Sequence, residues 1–246
     1  MVRMIRRTRT RGFLSAATAL TAATALGTAG CSWAGSETHN ASRSYTVGAK
    51  GDRIEALEVD SHAGDITVKA AAPGRTSVGV TEDSAYEKSK PHTEHSVSDG
   101  TLKLTAGECS GGDRTCEVGY TLSVPASLSL RLTTGGGSIV VRGTSGPVHA
   151  TSGGGSVRML DSEARKVEAK TGGGSLSGTF ATAPDSLRYE TGGGNATVRL
   201  PRGPYAVHAT TGGGKRTVTV DTDPAAERRI TLRSGGGNVS VLRADA

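Results

Sequence analysis

The chain of 246 residues is short of large side chains: one Trp, five Tyr and two Phe make eight aromatics. A conventional core built on rings is therefore excluded. Cysteine is scarce too, with three residues at Cys31, Cys109 and Cys116, too few for a disulfide-dense scaffold. No apolar run reaches the roughly 20 residues a membrane-spanning helix needs. Acidic residues and lysine are missing from residues 1–30, which hold five arginines (Arg3, Arg6, Arg7, Arg9, Arg11). That local absence explains most of the formal charge of +6: the remaining residues carry 24 basic and 23 acidic side chains, a net +1. A chain so close to neutral past residue 30 gives no electrostatic footprint for nucleic acid.

What is present at the N-terminus reads as an export signal. The arginines precede an apolar, alanine-rich stretch from Gly12 to Leu26, and small residues follow it. The junction Leu26-Gly27-Thr28-Ala29-Gly30-Cys31 resembles the lipobox of bacterial lipoproteins, with Thr28 where Leu is usual. That resemblance implies cleavage after Gly30 and diacylation of Cys31; two acyl chains suffice for stable anchoring. The expected organisation is a signal peptide over 1–30, a lipidated cysteine and flexible tether over 31–46, and one folded domain over 47–246. The expected location is the outer face of the bacterial cytoplasmic membrane. In an exported chain, the remaining pair Cys109 and Cys116 is expected to form a disulfide across a short Gly-rich loop.

Glycine dominates the rest: 36 residues, of which 18 fall in six GGG triplets beginning at Gly135, Gly153, Gly172, Gly192, Gly212 and Gly235. The spacings are 18, 19, 20, 20 and 23 residues, and such a period signals a repeat architecture. Five and three residues before each triplet stand Leu130/Leu132, Val148/Ala150, Val167/Ala169, Leu187/Tyr189, Val207/Ala209 and Ile230/Leu232. Four and six after its first glycine, ten of twelve positions are apolar; the exceptions are Arg216 and Gly178. Each flank alternates with the period of a half-buried strand. The two flanks are out of phase, so the chain must turn at the glycines to return both apolar sets to one interior. Eighteen glycines in regular structure would cost on the order of 9–18 kcal/mol relative to alanine. They are tolerable only where side chains are excluded, by positive φ or by close backbone stacking. The fold class expected is all-β: a β-solenoid, or β-helix-like repeat, with two short strands per coil of about 20 residues and GGG corners. Ser61–Asp65 reads as a degenerate seventh corner, which places Leu57, Val59, Ile66 and Val68 at the four core offsets.

The segments VPASLSLRLTTGGGSIVV, TSGGGSV, TGGGSL and TGGGNATV are similar to the repeats of the bacterial family called putative-adhesin, or toastrack, domains. The resemblance covers roughly residues 47–246 and implies a cell-envelope protein without established catalytic residues.

Stacked coils convert each sequence offset into a ladder. Thr134, Ser152, Thr171, Thr191, Thr211 and Ser234 precede the triplets; Ser138, Ser156, Ser175, Asn195, Lys215 and Asn238 follow them. Both are expected to hydrogen-bond along the corner. The outward ladder Arg131, His149, Glu168, Arg188, His208 is the candidate binding surface, with Glu168 and Arg188 close enough to pair across coils. His92 and His95 form an HxxH without a third ligand or a helix, so no metal site is expected. No cofactor is implied, and no nucleophile elbow, phosphate loop or converging carboxylate pair stands out. The function expected is a non-enzymatic, lipid-anchored surface module that binds envelope polymer or protein. A regulatory accessory of envelope stress is the alternative, and a glycan-cleaving β-helix the remote one.

Overall fold

The computed structural model describes residues 37–48, 53–109 and 114–244. The signal peptide expected over 1–30 and the acylated Cys31 lie outside them. The described residues form nineteen strands and no helix. The entry segment holds β1 (His39–Val47), β2 (Ala56–Asp60), β3 (Ile66–Ala70), β4 (Val78–Tyr86), β5 (Thr93–Ser98), β6 (Thr101–Ala106) and β7 (Cys116–Val124). Then come paired strands around each triplet: β8 (Ser129–Thr134) and β9 (Ile139–Arg142), β10 (Val148–Ser152) and β11 (Val157–Ser162), β12 (Lys166–Thr171) and β13 (Leu176–Phe180). The series ends with β14 (Ser186–Thr191) and β15 (Ala196–Leu200), β16 (Ala206–Thr211) and β17 (Arg216–Val218), β18 (Arg229–Ser234) and β19 (Val239–Arg243).

The strand before each triplet joins one parallel-rich sheet and the strand after it joins a second, so the chain is a β-solenoid. The after-triplet sheet runs β1-β4-β7-β3-β9-β11-β13-β15-β19-β17, and the before-triplet sheet runs β16-β18-β14-β12-β10-β8-β2-β6-β5. The degenerate rung sits where its sequence places it: Leu57 and Val59 align with Leu130 and Leu132, and Ile66 and Val68 with Ile139 and Val141. All four are buried. Four buried aliphatic side chains contribute about 6–12 kcal/mol per rung, far more than exposed ion pairs supply.

The glycine corner is explained by stacking and not by φ, because none of the eighteen triplet glycines lies in the left-handed region. A Cβ on the third glycine of a triplet would meet a carbonyl of the rung beneath: 2.2 Å from Gly64 O at Gly137, 2.0 Å from Gly137 O at Gly155, 2.1 Å from Gly155 O at Gly174. The middle glycines have ordinary space, as at Gly154, 4.0 Å from Gly136 O. The preceding hydroxyl locks this corner twice. Ser152 Oγ donates to Gly137 O of the rung beneath (2.8 Å) and accepts from its own Gly155 N (2.8 Å). Thr171 and Thr191 repeat both bonds one and two rungs on. The following ladder adds its own bond, as when Asn195 N donates to Ser175 Oγ (3.1 Å).

Three features differ from the sequence reading. First, the rungs number eight, because β6 and β7 form a further coil stacked on β2 and β3, with Leu102 and Leu104 aligned to Leu57 and Val59. The Cys109–Cys116 disulfide closes this rung where the others have a glycine corner. Second, residues 39–46, expected as tether, belong to β1, which pairs antiparallel with β4 from His39–Tyr86 to Val47–Val78. Its small polar residues hid a strand at the sheet edge that is exposed except at Ala41, Tyr45 and Val47, the last two packed against the core. Third, rung order is not sequence order: β18 pairs with both β14 and β16, and β19 with both β15 and β17. The last coil in sequence is thus inserted beneath the penultimate one.

Both ends of the stack are closed. At the entry end, Glu82, whose side chain is 3% exposed, pairs with Arg43 (2.9 Å) and accepts from Tyr45 Oη and Thr93 Oγ1. A buried carboxylate persists only with such partners, and these tie β1, β4 and β5 together. Burial, then the bond to Glu82, drives the Tyr45 phenol far above its ordinary range. At the other end, Arg216 occupies an inward offset and its Nε donates to Ala209 O (3.0 Å) across the terminal coil. Beside it stands Lys215, so the last edge carries charge where inner rungs carry Val, Leu or small polar residues.

Candidate binding face

The before-triplet sheet exposes every second residue of its parallel strands, so neighbouring rungs set equivalent side chains side by side, about 4.8 Å apart. In spatial order, the outward ladder reads Lys103, Glu58, Arg131, His149, Glu168, Arg188, Thr231, His208. An open groove of about 800 Å³ crosses this face, lined by Glu58, Ser129, Arg131, Pro147, His149, Lys166, Glu168, Ser186 and Arg188, with Leu57, Leu130, Val148 and Val167 at its floor. It is a trough because its first outward row is small (Ala56, Ser129, Pro147, Ser186) except for Lys166.

Four of the five ladder residues therefore line one groove. His208 does not: the inserted β18 places Thr231 between it and Arg188. Glu168 and Arg188 do not pair with one another. Lys170 Nζ lies 2.7 Å from Glu168 Oε1, and His149 Nδ1 is 3.3 Å from Glu168 Oε2. Arg188 instead bonds Glu190 on its own strand, and Lys170 and Arg233 reach the same carboxylate at 3.9 and 3.8 Å. Residues two apart on a strand share a face, so Lys170 and Arg188 reach the carboxylates of their own strands. The cross-rung contacts that remain are His149 to Glu168, and Lys170 and Arg233 to Glu190. The Lys170 hydrogen bond, helped by His149, holds the Glu168 carboxyl below its usual value. Glu58, Lys103 and Lys166 were missed by sequence reasoning; the register of β2 and β6 against β8 would have found the first two.

Other candidates do not assemble. The His92 ring pairs with Glu94 (2.9 Å), while His95 stacks on Tyr45 at 4.9 Å. Among the described residues no group of three or more His, Cys, Asp or Glu side chains converges as a metal site. The disulfide pairing of Cys109 and Cys116 is present, with Cα atoms 5.8 Å apart.

No protein-family model and no curated protein matches the sequence. Solved structures do resemble the chain. A putative cell adhesion protein from Clostridium sporogenes ATCC 15579 is 11% identical over 83% of this chain and 100% of its own, with a TM-score of 0.47. A putative adhesin from Bacteroides fragilis NCTC 9343 is 12% identical over 83% and 97%, with a TM-score of 0.46. A third, from Parabacteroides distasonis ATCC 8503, is 10% identical over 83% and 98%, with a TM-score of 0.35. Those names describe those proteins and assign no role to any residue here.

Proposed function

We propose that this chain is a non-enzymatic, adhesin-like binding module of the bacterial cell envelope, anchored through acylated Cys31, and that the before-triplet sheet is its binding face. The observation that carries this reading is the groove crossing six consecutive rungs. An open trough of repeated side chains accommodates an extended partner rather than enclosing a small substrate. The eight-rung stack, capped at both ends, supplies a rigid surface whose side chains keep fixed spacing. Adhesin names among the similar structures accord with this role.

Co-sedimentation of the full-length protein, in detergent, with purified envelope fractions tests it. Binding is expected to at least one wall, polysaccharide or envelope-protein fraction, and to weaken when Arg131, Glu168 and Arg188 are replaced together by Ser, Gln and Ser. Binding to no fraction, or binding indifferent to those substitutions, overturns the reading. The anchor is tested separately: Cys31→Ser is expected to move the protein from the membrane fraction to the medium.

A further inference from the structure

The groove's charges divide into those already neutralised and those that are not. Glu168 and Glu190 are occupied by Lys170, His149, Arg188 and Arg233. Among the described residues, four cations on the same face have no ion-pair partner: Arg229 on β18, Lys166 on β12, Arg131 on β8 and Lys103 on β6. In the strand order β18-β14-β12-β10-β8-β2-β6, these four fall on alternate rungs. Two rungs separate each from the next, about 10 Å, and the line shifts sideways by one outward position, about 7 Å, between Lys166 and Arg131. Lys166 and Arg131 line the groove itself. Between successive cations stand Ser186, then His149 beside the apolar Pro147, then Glu58; Ser186, His149 and Glu58 can accept or donate hydrogen bonds.

We propose that this face binds a linear acidic glycan carrying one carboxylate on every second sugar ring. The inference rests on the binding-module reading and names its ligand class. A ring with its linking oxygen spans about one rung, about 5 Å, so a carboxylate on alternate rings meets a cation on alternate rungs. Hydroxyls of the intervening rings face Ser186, His149 and Glu58. Glu58 accepts from hydroxyls and repels a second carboxylate, which selects against glycans charged on every ring.

The test is affinity electrophoresis of the full-length protein in detergent through gels containing hyaluronan (a carboxylate on every second ring), polygalacturonate (on every ring), dextran (uncharged) or polyphosphate. Hyaluronan is expected to retard the protein most. Lys166→Gln and Arg131→Gln should each weaken retardation up to about fivefold, the effect of one exposed charge contact. Lys215→Gln, the same charge change at the terminal corner, should leave it unaltered, and Glu58→Gln should narrow the gap between hyaluronan and polygalacturonate. Equal retardation by dextran overturns the role of charge. Equal retardation by polyphosphate or polygalacturonate, or an equal loss with Lys215→Gln, reduces the face to general polyanion attraction and overturns the spacing. If the glycans fail while an envelope fraction still co-sediments, the ligand class is wrong and the binding-module reading stands.

Discussion

Gly154 and Gly155 are neighbours in one corner, yet the stack treats them oppositely. A Cβ at Gly155 would stand 2.0 Å from Gly137 O, against a floor near 3.0 Å for real contacts, whereas at Gly154 the nearest atom is 4.0 Å away. Gly155→Ala must therefore push two rungs apart by about 1 Å out of a spacing of about 4.8 Å. That displacement breaks the bond from Ser152 Oγ to Gly137 O and strains the one from Gly155 N to Ser152 Oγ. One buried hydrogen bond lost and one part-buried bond strained, together up to about 2 kcal/mol, plus about 1–3 kcal/mol for overpacking, give a destabilisation of up to about 3–5 kcal/mol. Gly154→Ala has no such contact, and its φ is not left-handed, so it gains about 0.4–1 kcal/mol by restricting the unfolded chain. In thermal unfolding of a domain this size, the first substitution should lower Tm by roughly 6–20 °C and the second should raise it by a few degrees. Urea titration supplies the free energies, and hydrogen exchange at Ile139 N and Val157 N reports whether the damage stays at adjacent rungs. Equal effects of the two substitutions, or a neutral Gly155→Ala, would refute stacking as the reason for the triplets.

Arg216→Leu should leave or raise thermal stability but expose a flat terminal edge, so sedimentation velocity is expected to show concentration-dependent association absent from the parent. Removing the Cys109–Cys116 bridge by Cys116→Ser should cost about 2.5 kcal/mol in urea unfolding, the chain-entropy value for so short a loop, and reduction of the parent should reproduce it. Tyr45, Tyr120 and Tyr189 all have phenols held well above their ordinary value, chiefly by burial, so their contribution to stability is whole below the unfolded value near pH 10 and falls as pH rises beyond it. The two buried phenols, Tyr120 and Tyr189, make the loss up to about 3 kcal/mol per pH unit above pH 10, and the half-buried, solvent-screened Tyr45 adds less; urea midpoints between pH 9 and 12 read it, and a flat profile would contradict it. Tyr189 Oη is buried without a partner, and a Cβ at Gly178 would lie 2.5 Å from it. Tyr189→Phe should accordingly be neutral or stabilising by about 1 kcal/mol, and should relieve part of the cost of Gly178→Ala in a double-mutant cycle.

Each exception in the repeat has its explanation in space. Gly178, at a core offset, makes room for the Tyr189 ring, and Arg216, at another, caps the terminal coil. The hairpin between β5 and β6 has a local mark that the sequence reading did not use: Asp99 and Gly100 both adopt positive φ, as an Asp-Gly turn between strands requires. β1 had no such mark, since its inner face is only half-buried, with Ala41, Tyr45 and Val47 set among exposed polar residues. The candidate site was legible as a ladder of offsets but not as a set of pairs, because Glu168 could reach Lys170 and His149 as readily as Arg188.

The sequence by itself determined what is local and periodic: two strands per coil, the inward offsets, the corner with its hydroxyl lock, and the register of Leu57, Val59, Ile66 and Val68. Only the tertiary structure decided which coil lies on which. Every rung presents the same two backbone edges, and a parallel ladder forms equally well between coils that are distant in sequence. The insertion of β18 and β19 beneath β16 and β17 was therefore settled by the ends, where Lys215 and Arg216 suit an outermost rung and Val239 and Val241 suit a buried one. That choice moved His208 away from Arg188 and set the alternate-rung spacing of Arg229 and Lys166, and with it the shape of the binding face.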